Sequence, residues 1–118
     1  MKRSILICDD EEGIRESLKL ILEKDYDLSF AHDGNEAISM LKKNPVDMII
    51  IDIKMPRMDG IETMKKLKHI KPDIKMLVSR GYKSVETAQE AVSAGAIDYI
   101  VKPFERSEML KAVKKLLG

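Results

Sequence analysis

The chain is expected to fold as a doubly wound α/β domain around a five-stranded parallel sheet ordered 2-1-3-4-5. Three observations lead there. Short apolar runs alternate with longer stretches of helical periodicity along all 118 residues. Two of the runs, Ile5-Leu6-Ile7-Cys8 and Met48-Ile49-Ile50-Ile51, are apolar almost throughout, as strands become when helices cover both faces of a sheet. Both of those runs end in acids, Asp9-Asp10 and Asp52, as though a functional edge lay at their carboxyl ends.

The elements follow in order. The first strand falls near 4–8 and the first helix near 12–24, where Ile14, Leu18, Ile21 and Leu22 recur at helical spacing. The second strand, near 26–31, carries Tyr26, Asp27 and Ser29 and is polar enough to be an edge. Asp33-Gly34 and Asn44-Pro45 punctuate a second helix near 34–43. The third strand covers 48–53, and a helix near 60–70 carries Ile61, Met64 and Leu67. The fourth strand lies near 75–79. Its helix, near 84–94, shows Val85, Ala88, Ala91 and Val92, with Ser84 as a cap and Gly95 as its end. The fifth strand lies near 98–101, and the last helix, near 106–117, carries Met109, Leu110, Val113, Leu116 and Leu117. Repeated strand–helix units imply a parallel sheet with right-handed crossovers. In the order 2-1-3-4-5 the direction of winding reverses between the first and third strands, and ligands gather at such a switch point.

Composition narrows the function. Residues 1–118 read as one domain, long enough to bury a core without disulfides or structural zinc. A hydrophobic fraction of 44% with 35% charged residues is that of a soluble globular chain. A formal net charge of +1 gives no global drive toward nucleic acid or an acidic membrane. Cys8 is the only cysteine, which rules out an internal disulfide and fits a reducing cytoplasm. No apolar run approaches the roughly 20 residues that span a bilayer, and Ile5–Cys8 is too short for a signal-peptide core.

The chemistry-bearing set is Asp9-Asp10, Asp52 and Lys102-Pro103-Phe104. Two adjacent strands ending in acids gather three carboxylates, and such a cluster stays ionised only beside positive charge. Lys102 and a divalent metal supply it; oxygen ligands suit Mg²⁺. Asp52 is then placed to attack phosphorus in line, giving an acyl phosphate, with Lys102 as a second cationic contact. Proline after Lys102 allows a cis bond that fixes the lysine.

Cys8-Asp9-Asp10-Glu11, Asp52 to Gly60, Gly95-Ala96-Ile97-Asp98-Tyr99 and Lys102-Pro103-Phe104 together resemble a bacterial response-regulator receiver domain, across essentially the whole chain. The resemblance implies a flavodoxin-like (βα)5 fold and phosphoryl transfer to Asp52 from the phosphohistidine of a sensor histidine kinase or phosphotransfer protein. It implies Mg²⁺ held by Asp9, Asp10, Asp52 and the backbone carbonyl of Lys54, with Lys102 on the phosphoryl group. Tyr99 matches the aromatic residue that reports phosphorylation on the face of helix four, strand five and helix five. That face signals to an effector domain or protein and is where receivers pair as homodimers. Binding to nucleic acid or membrane by this domain is not implied. The stretch Gly81 to Ala88 resembles receivers of the nitrogen-regulation and sporulation-relay types.

One departure stands out. The family places Thr or Ser at the end of the fourth strand, and counting from Asp52 or Lys102 puts that position on Arg80. Ser79 falls one residue early and by strand alternation is expected to point away. Three readings stay open: a natural arginine contacting the phosphoryl group or Asp52, an engineered change, or a local bulge that brings Ser79 into the hydroxyl's role. Arginine is bulky and only donates, so it cannot make a hydroxyl's short inward step.

Other functions compete with the phosphoacceptor. One is an interaction module that keeps the fold but does not switch. An aspartyl phosphatase wants a second acid two residues after the first, where this chain has Lys54. A flavin domain wants a phosphate loop after the first strand, where Asp9 to Glu12 repel phosphate. His32 and His69 lack metal-ligand spacing and read as surface residues, and the eight methionines read as core.

Overall fold

The structure is a computed structural model and describes residues 2–52, 60–80 and 90–118, with Arg80 described in its backbone only. In chain order the elements are β1 (Arg3–Cys8), α1 (Glu12–Leu22), β2 (Tyr26–Ala31), α2 (Gly34–Lys43), β3 (Met48–Asp52), α3 (Gly60–Ile70) and β4 (Lys75–Arg80). A helical segment over 90–93, labelled α4, then leads to β5 (Ala96–Val101) and α5 (Arg106–Leu117). All paired strands run parallel, in the order β2-β1-β3-β4-β5 that the sequence implies, with the polar β2 at an edge.

Strand alternation sorts the apolar residues into two cores. Ile5 and Ile7 of β1, Met48 and Ile50 of β3 and Leu77 of β4 face α1 and α5, where they meet Leu18, Leu22, Met109 and Val113. Leu6 and Cys8, Ile49 and Ile51, and Met76 and Val78 face the other way. There they meet Ala37 and Leu41 of α2, Met64 and Leu67 of α3, and Ala91 of α4. Burying each such aliphatic side chain contributes roughly 2 kcal/mol. These two sandwiched layers are why β1 and β3 read as unbroken apolar runs.

The helix ends follow local chemistry. Asp33 caps α2 by accepting from the Glu36 backbone N–H at 2.8 Å. Glu105 and Glu108 cap α5 reciprocally. β5 begins at Ala96 rather than near 98, because Gly95, at φ 115°, turns the chain directly into the sheet. The pairing then steps from Met76↔Ala96 to Leu77↔Asp98, so Ile97 is an extra residue in β5. The expected cap Ser84, most of the helix expected over 84–94, and the segment 53–59 after Asp52 lie outside the described residues.

Candidate functional site: an acidic crevice at the carboxyl ends of the strands

Asp9 follows β1 directly and Asp52 is the last residue of β3, so the β1–β3 pairing sets the two acids side by side. Alternation also gives them one direction. Asp52 follows Met48 and Ile50 on the face toward α1 and α5, and Asp9 follows Ile5 and Ile7. Asp9 stays in line with the sheet because its N–H donates to the Ala31 carbonyl at 3.1 Å. One carboxylate oxygen of Asp9 accepts from the Glu11 N–H at 2.9 Å. Its backbone carbonyl accepts from an Arg15 guanidinium nitrogen at 2.7 Å. The acids are thus fixed by backbone on one side and by α1 on the other.

Asp9 and Asp52 are only 2% and 5% exposed, whereas Asp10 is at the surface. Each of the three offers a carboxylate oxygen, and these atoms lie within 4.8 Å of one another. Lys102 bridges the two buried acids, with Nζ at 2.9 Å from Asp9 Oδ2 and 3.0 Å from Asp52 Oδ2. Burial works against the lysine's charge, but the hydrogen bonds and charges of Asp9 and Asp52 outweigh it, and its pKa lies above the ordinary lysine value. Lys102 is therefore a fixed ammonium at neutral pH. The Lys102–Pro103 peptide bond is cis.

Lys102 stands between the two buried carboxylates, and the three acids offer hard oxygens converging from one surface and two buried positions. That donor set fits a small hard dication, which keeps several waters and takes a few carboxylates. Asp9, Asp10 and Asp52 are the residues that would hold it. The Lys54 carbonyl lies outside the described residues.

Ser79 is where the structure departs from the reading of the sequence. β4 pairs with β3 in the register Asp52↔Ser79, with Ile50↔Leu77 before it, so Ser79 shares the face of Asp52 rather than turning from it. Arg80 falls one residue further along, opposite Val101. Alternation was counted from Arg80, whose side chain lies outside the described residues; relative to Asp52, the β3–β4 register puts Ser79 on the same face. The signal was present in β4: Met76 and Val78 enter one core and Leu77 the other, which puts Ser79 with Leu77. No bulge between β3 and β4 is needed. Ser79 Oγ is buried and has no hydrogen-bond partner among the described residues, a condition that favours a polar ligand beside it. Contacts of the Arg80 side chain lie outside the described residues.

Tyr99 lies opposite Val78, on the other face of the sheet from Ser79. It is partly exposed, and its backbone N–H donates to Asp98 Oδ1 at 2.8 Å. Arg15 is the crevice residue that sequence reasoning missed; a cation one turn into a helix opened by Glu11 and Glu12 was its only signal.

The family model for the response regulator receiver domain matches residues 5–114. The chain is 37% identical over 118 residues to the response regulator MprA of Mycobacterium tuberculosis, covering 99% of this chain and 51% of that one. It is 34% identical to the transcriptional regulatory protein ZraR of Salmonella typhimurium, covering 99% of this chain and 27% of that one. The chain thus spans about half, or less, of the curated relatives it matches. Among solved structures it resembles the chemotaxis protein CheY4 of Vibrio cholerae, with a TM-score of 0.93 and 30% identity over 98% of this chain and 99% of that one. A response regulator from Burkholderia pseudomallei, solved with a phosphorylated aspartic acid, a calcium ion and citrate, aligns with a TM-score of 0.87 at 30% identity over 94% of this chain and 66% of that one.

Proposed function

Because the chain belongs to the response regulator receiver domain family, we propose that it is the phosphoacceptor of a two-component system, with Asp52 as the acceptor. The observation that carries this reading is the meeting of Asp9, Asp10 and Asp52 within 4.8 Å, with Lys102 bridging the two buried acids. A carboxylate oxygen of Asp52 attacks the phosphorus of a phosphohistidine on a sensor kinase or phosphotransfer protein. The P–N bond breaks, the imidazole leaves with its electron pair, and an acyl phosphate remains on Asp52.

The chain's own part is positioning and charge. β3 holds Asp52 at the rim of the crevice. Lys102 exchanges its contact with the Asp52 carboxylate for a phosphoryl oxygen, and Asp9 keeps the ammonium in place. The Ser79 hydroxyl donates to another phosphoryl oxygen and so gains the partner it lacks. Asp9, Asp10 and Asp52, with the Lys54 carbonyl, would hold Mg²⁺, which would supply neutralising charge for the transferring group. Water attack on phosphorus later returns Asp52 to a carboxylate, so the domain is a timed signal rather than a turnover enzyme.

Output passes to an effector through α4, β5 and α5. The support is that Val92, Ile97 and Tyr99 are among the most exposed large apolar side chains described, and all lie on α4 or β5. The same surface serves for pairing of two copies. No described helix is long and apolar enough to cross a membrane, and we place the domain in the cytoplasm with its kinase's catalytic portion. The second reading, an interaction module that does not switch because Arg80 stands at the hydroxyl's position, is distinguished by the acetyl phosphate experiment, since it takes up no phosphoryl group.

Intact mass after treatment with acetyl phosphate tests the reading. One phosphoryl group is gained with Mg²⁺, none with EDTA, and none in Asp52→Ala. A magnesium-independent adduct, or one that persists in Asp52→Ala, rules it out.

A further inference from the structure

On the far side of the sheet from α1 and α5, α2 and α3 leave a cavity of about 370 Å³ between them. Ile38 and Ile70 form its apolar floor, and Lys42, Lys65, Lys66 and His69 its rim. Both isoleucines are only partly buried, packed on the core formed by Ala37, Leu41, Met64 and Leu67. Lys42, Lys65 and Lys66 are exposed and have no ion-pair partner among the described residues.

The charge here is not that of the whole chain. Residues 34–43 and 60–71 hold six lysines against Glu36 and Glu62, although the full sequence balances 21 Lys and Arg against 20 Asp and Glu. Lys68 and Lys71 are already engaged, by the Ile74 carbonyl and Asp73. Of the other four, Lys42, Lys65 and Lys66 line the groove as cations.

We propose that this groove docks an acidic peptide segment of a partner protein. An aliphatic side chain of that segment seats on Ile38 and Ile70, while its carboxylates face Lys42, Lys65 and Lys66. An aliphatic anchor ringed by complementary charge is the ordinary arrangement for a peptide laid in a groove between helices. An anionic membrane fits less well. Peripheral membrane binding inserts protruding apolar side chains, and the most exposed large ones described, Leu20, Val92, Ile97 and Tyr99, all lie on other elements. Nucleic acid fits less well again, because an aliphatic floor with no aromatic residue offers no stacking platform. The proposal is independent of phosphoryl chemistry at Asp52.

The test is a ¹⁵N-resolved NMR titration of the unphosphorylated chain without magnesium. The probe is a short acetylated peptide of glutamates bearing two leucines one helical turn apart. Shifts are expected at Ile38, Lys42, Lys65, Lys66, His69 and Ile70, weakening as salt is raised. The double variant Lys65→Glu/Lys66→Glu changes two exposed side chains, keeps the parent circular dichroism, and is expected to weaken binding by about tenfold or more. Replacing the peptide's leucines by serine is expected to remove the shifts at Ile38 and Ile70. The proposal is overturned by any of four results: no shifts with the peptide, shifts centred elsewhere, undiminished binding in the double variant, or binding only to phosphatidylglycerol vesicles.

Discussion

The paired strands β1 and β3 have a carboxylate at each end of the pair, and the two ends are built to opposite purposes. At the amino end Asp47 is satisfied. It accepts from the Ser4 backbone N–H at 2.8 Å and the Ser4 hydroxyl at 3.2 Å, and Arg3 lies 3.6 Å away. Its own N–H donates to the Ser4 carbonyl and hydroxyl, both at 3.1 Å. The backbone hydrogen bond from Ser4 is the main reason its pKa lies below the ordinary carboxylate value, against a smaller opposing effect of burial. At the carboxyl end Asp9, Asp10 and Asp52 converge, Lys102 bridges Asp9 and Asp52, and the buried Ser79, without a side-chain partner among the described residues, pairs in register with Asp52. One acid splices two strands; the other three converge on one point, where a hard dication would relieve their mutual repulsion. A carboxylate at a strand end therefore points to function when it converges with others, not merely when it is buried.

The sharpest way to break this comparison is to delete a cation. Lys102→Ala leaves Asp9 and Asp52 buried beside each other without the ammonium that bridges them. Unfolding at neutral pH in EDTA is expected to show a loss of about 3 kcal/mol. Magnesium should restore part of that loss. If the variant matches the parent in EDTA, the crevice is not electrostatically crowded.

Ser79→Ala sharpens the assignment at the carboxyl end. Removing an unpartnered buried hydroxyl is expected to leave stability unchanged or raise it by about 1 kcal/mol. The same change should shorten or weaken the response of Tyr99 amide shifts to beryllofluoride. A Tyr99 response equal to the parent's would remove Ser79 from the switch.

At the amino end, Asp47→Ala is expected to cost about 1 kcal/mol at neutral pH, a modest figure because the carboxylate is partly exposed and screened. It should leave the phosphoryl adduct at Asp52 intact. The pH dependence has a definite sign. The folded pKa is depressed, so the stabilisation is present above about pH 4 and fades as pH falls through the folded value. Parent and variant stabilities should converge in acid; a constant gap would mean that Asp47 acts through packing alone.

The smallest expected effect is chemical. Burial, with the nearby acids adding to it, pushes the Cys8 thiol up to about 12. It should resist iodoacetamide in the native chain at neutral pH and react only after unfolding.

The sheet order and the acid cluster were legible in the sequence because buried parallel strands leave continuous apolar runs, and Ile5–Cys8 and Met48–Ile51 are such runs. The resemblance across four short motifs named the same acids that the strand ends brought together. The face of Ser79 relative to Asp52 was harder to read, for a reason that is equally physical. A residue count from Asp52 to Arg80 passes through a helix and two loops, any of which absorbs a residue without disturbing the sheet. Pairing tolerates no such slip, since one residue would reverse every face. The alternation of Met76, Leu77, Val78 and Ser79 between two cores held the answer. Arg15 was illegible, because a guanidinium reaching back to the Asp9 carbonyl depends on how α1 leaves β1. So was the extra residue Ile97 in β5, which polar neighbours masked as loop.

Calorimetric titration of the unphosphorylated chain with magnesium chloride at neutral pH tests the crowded crevice most directly. Uptake of one ion is expected in the parent, and strong weakening in Asp10→Asn, which alters an exposed acid that Lys102 does not touch. Absence of uptake in the parent, or equal uptake in the variant, would contradict the account.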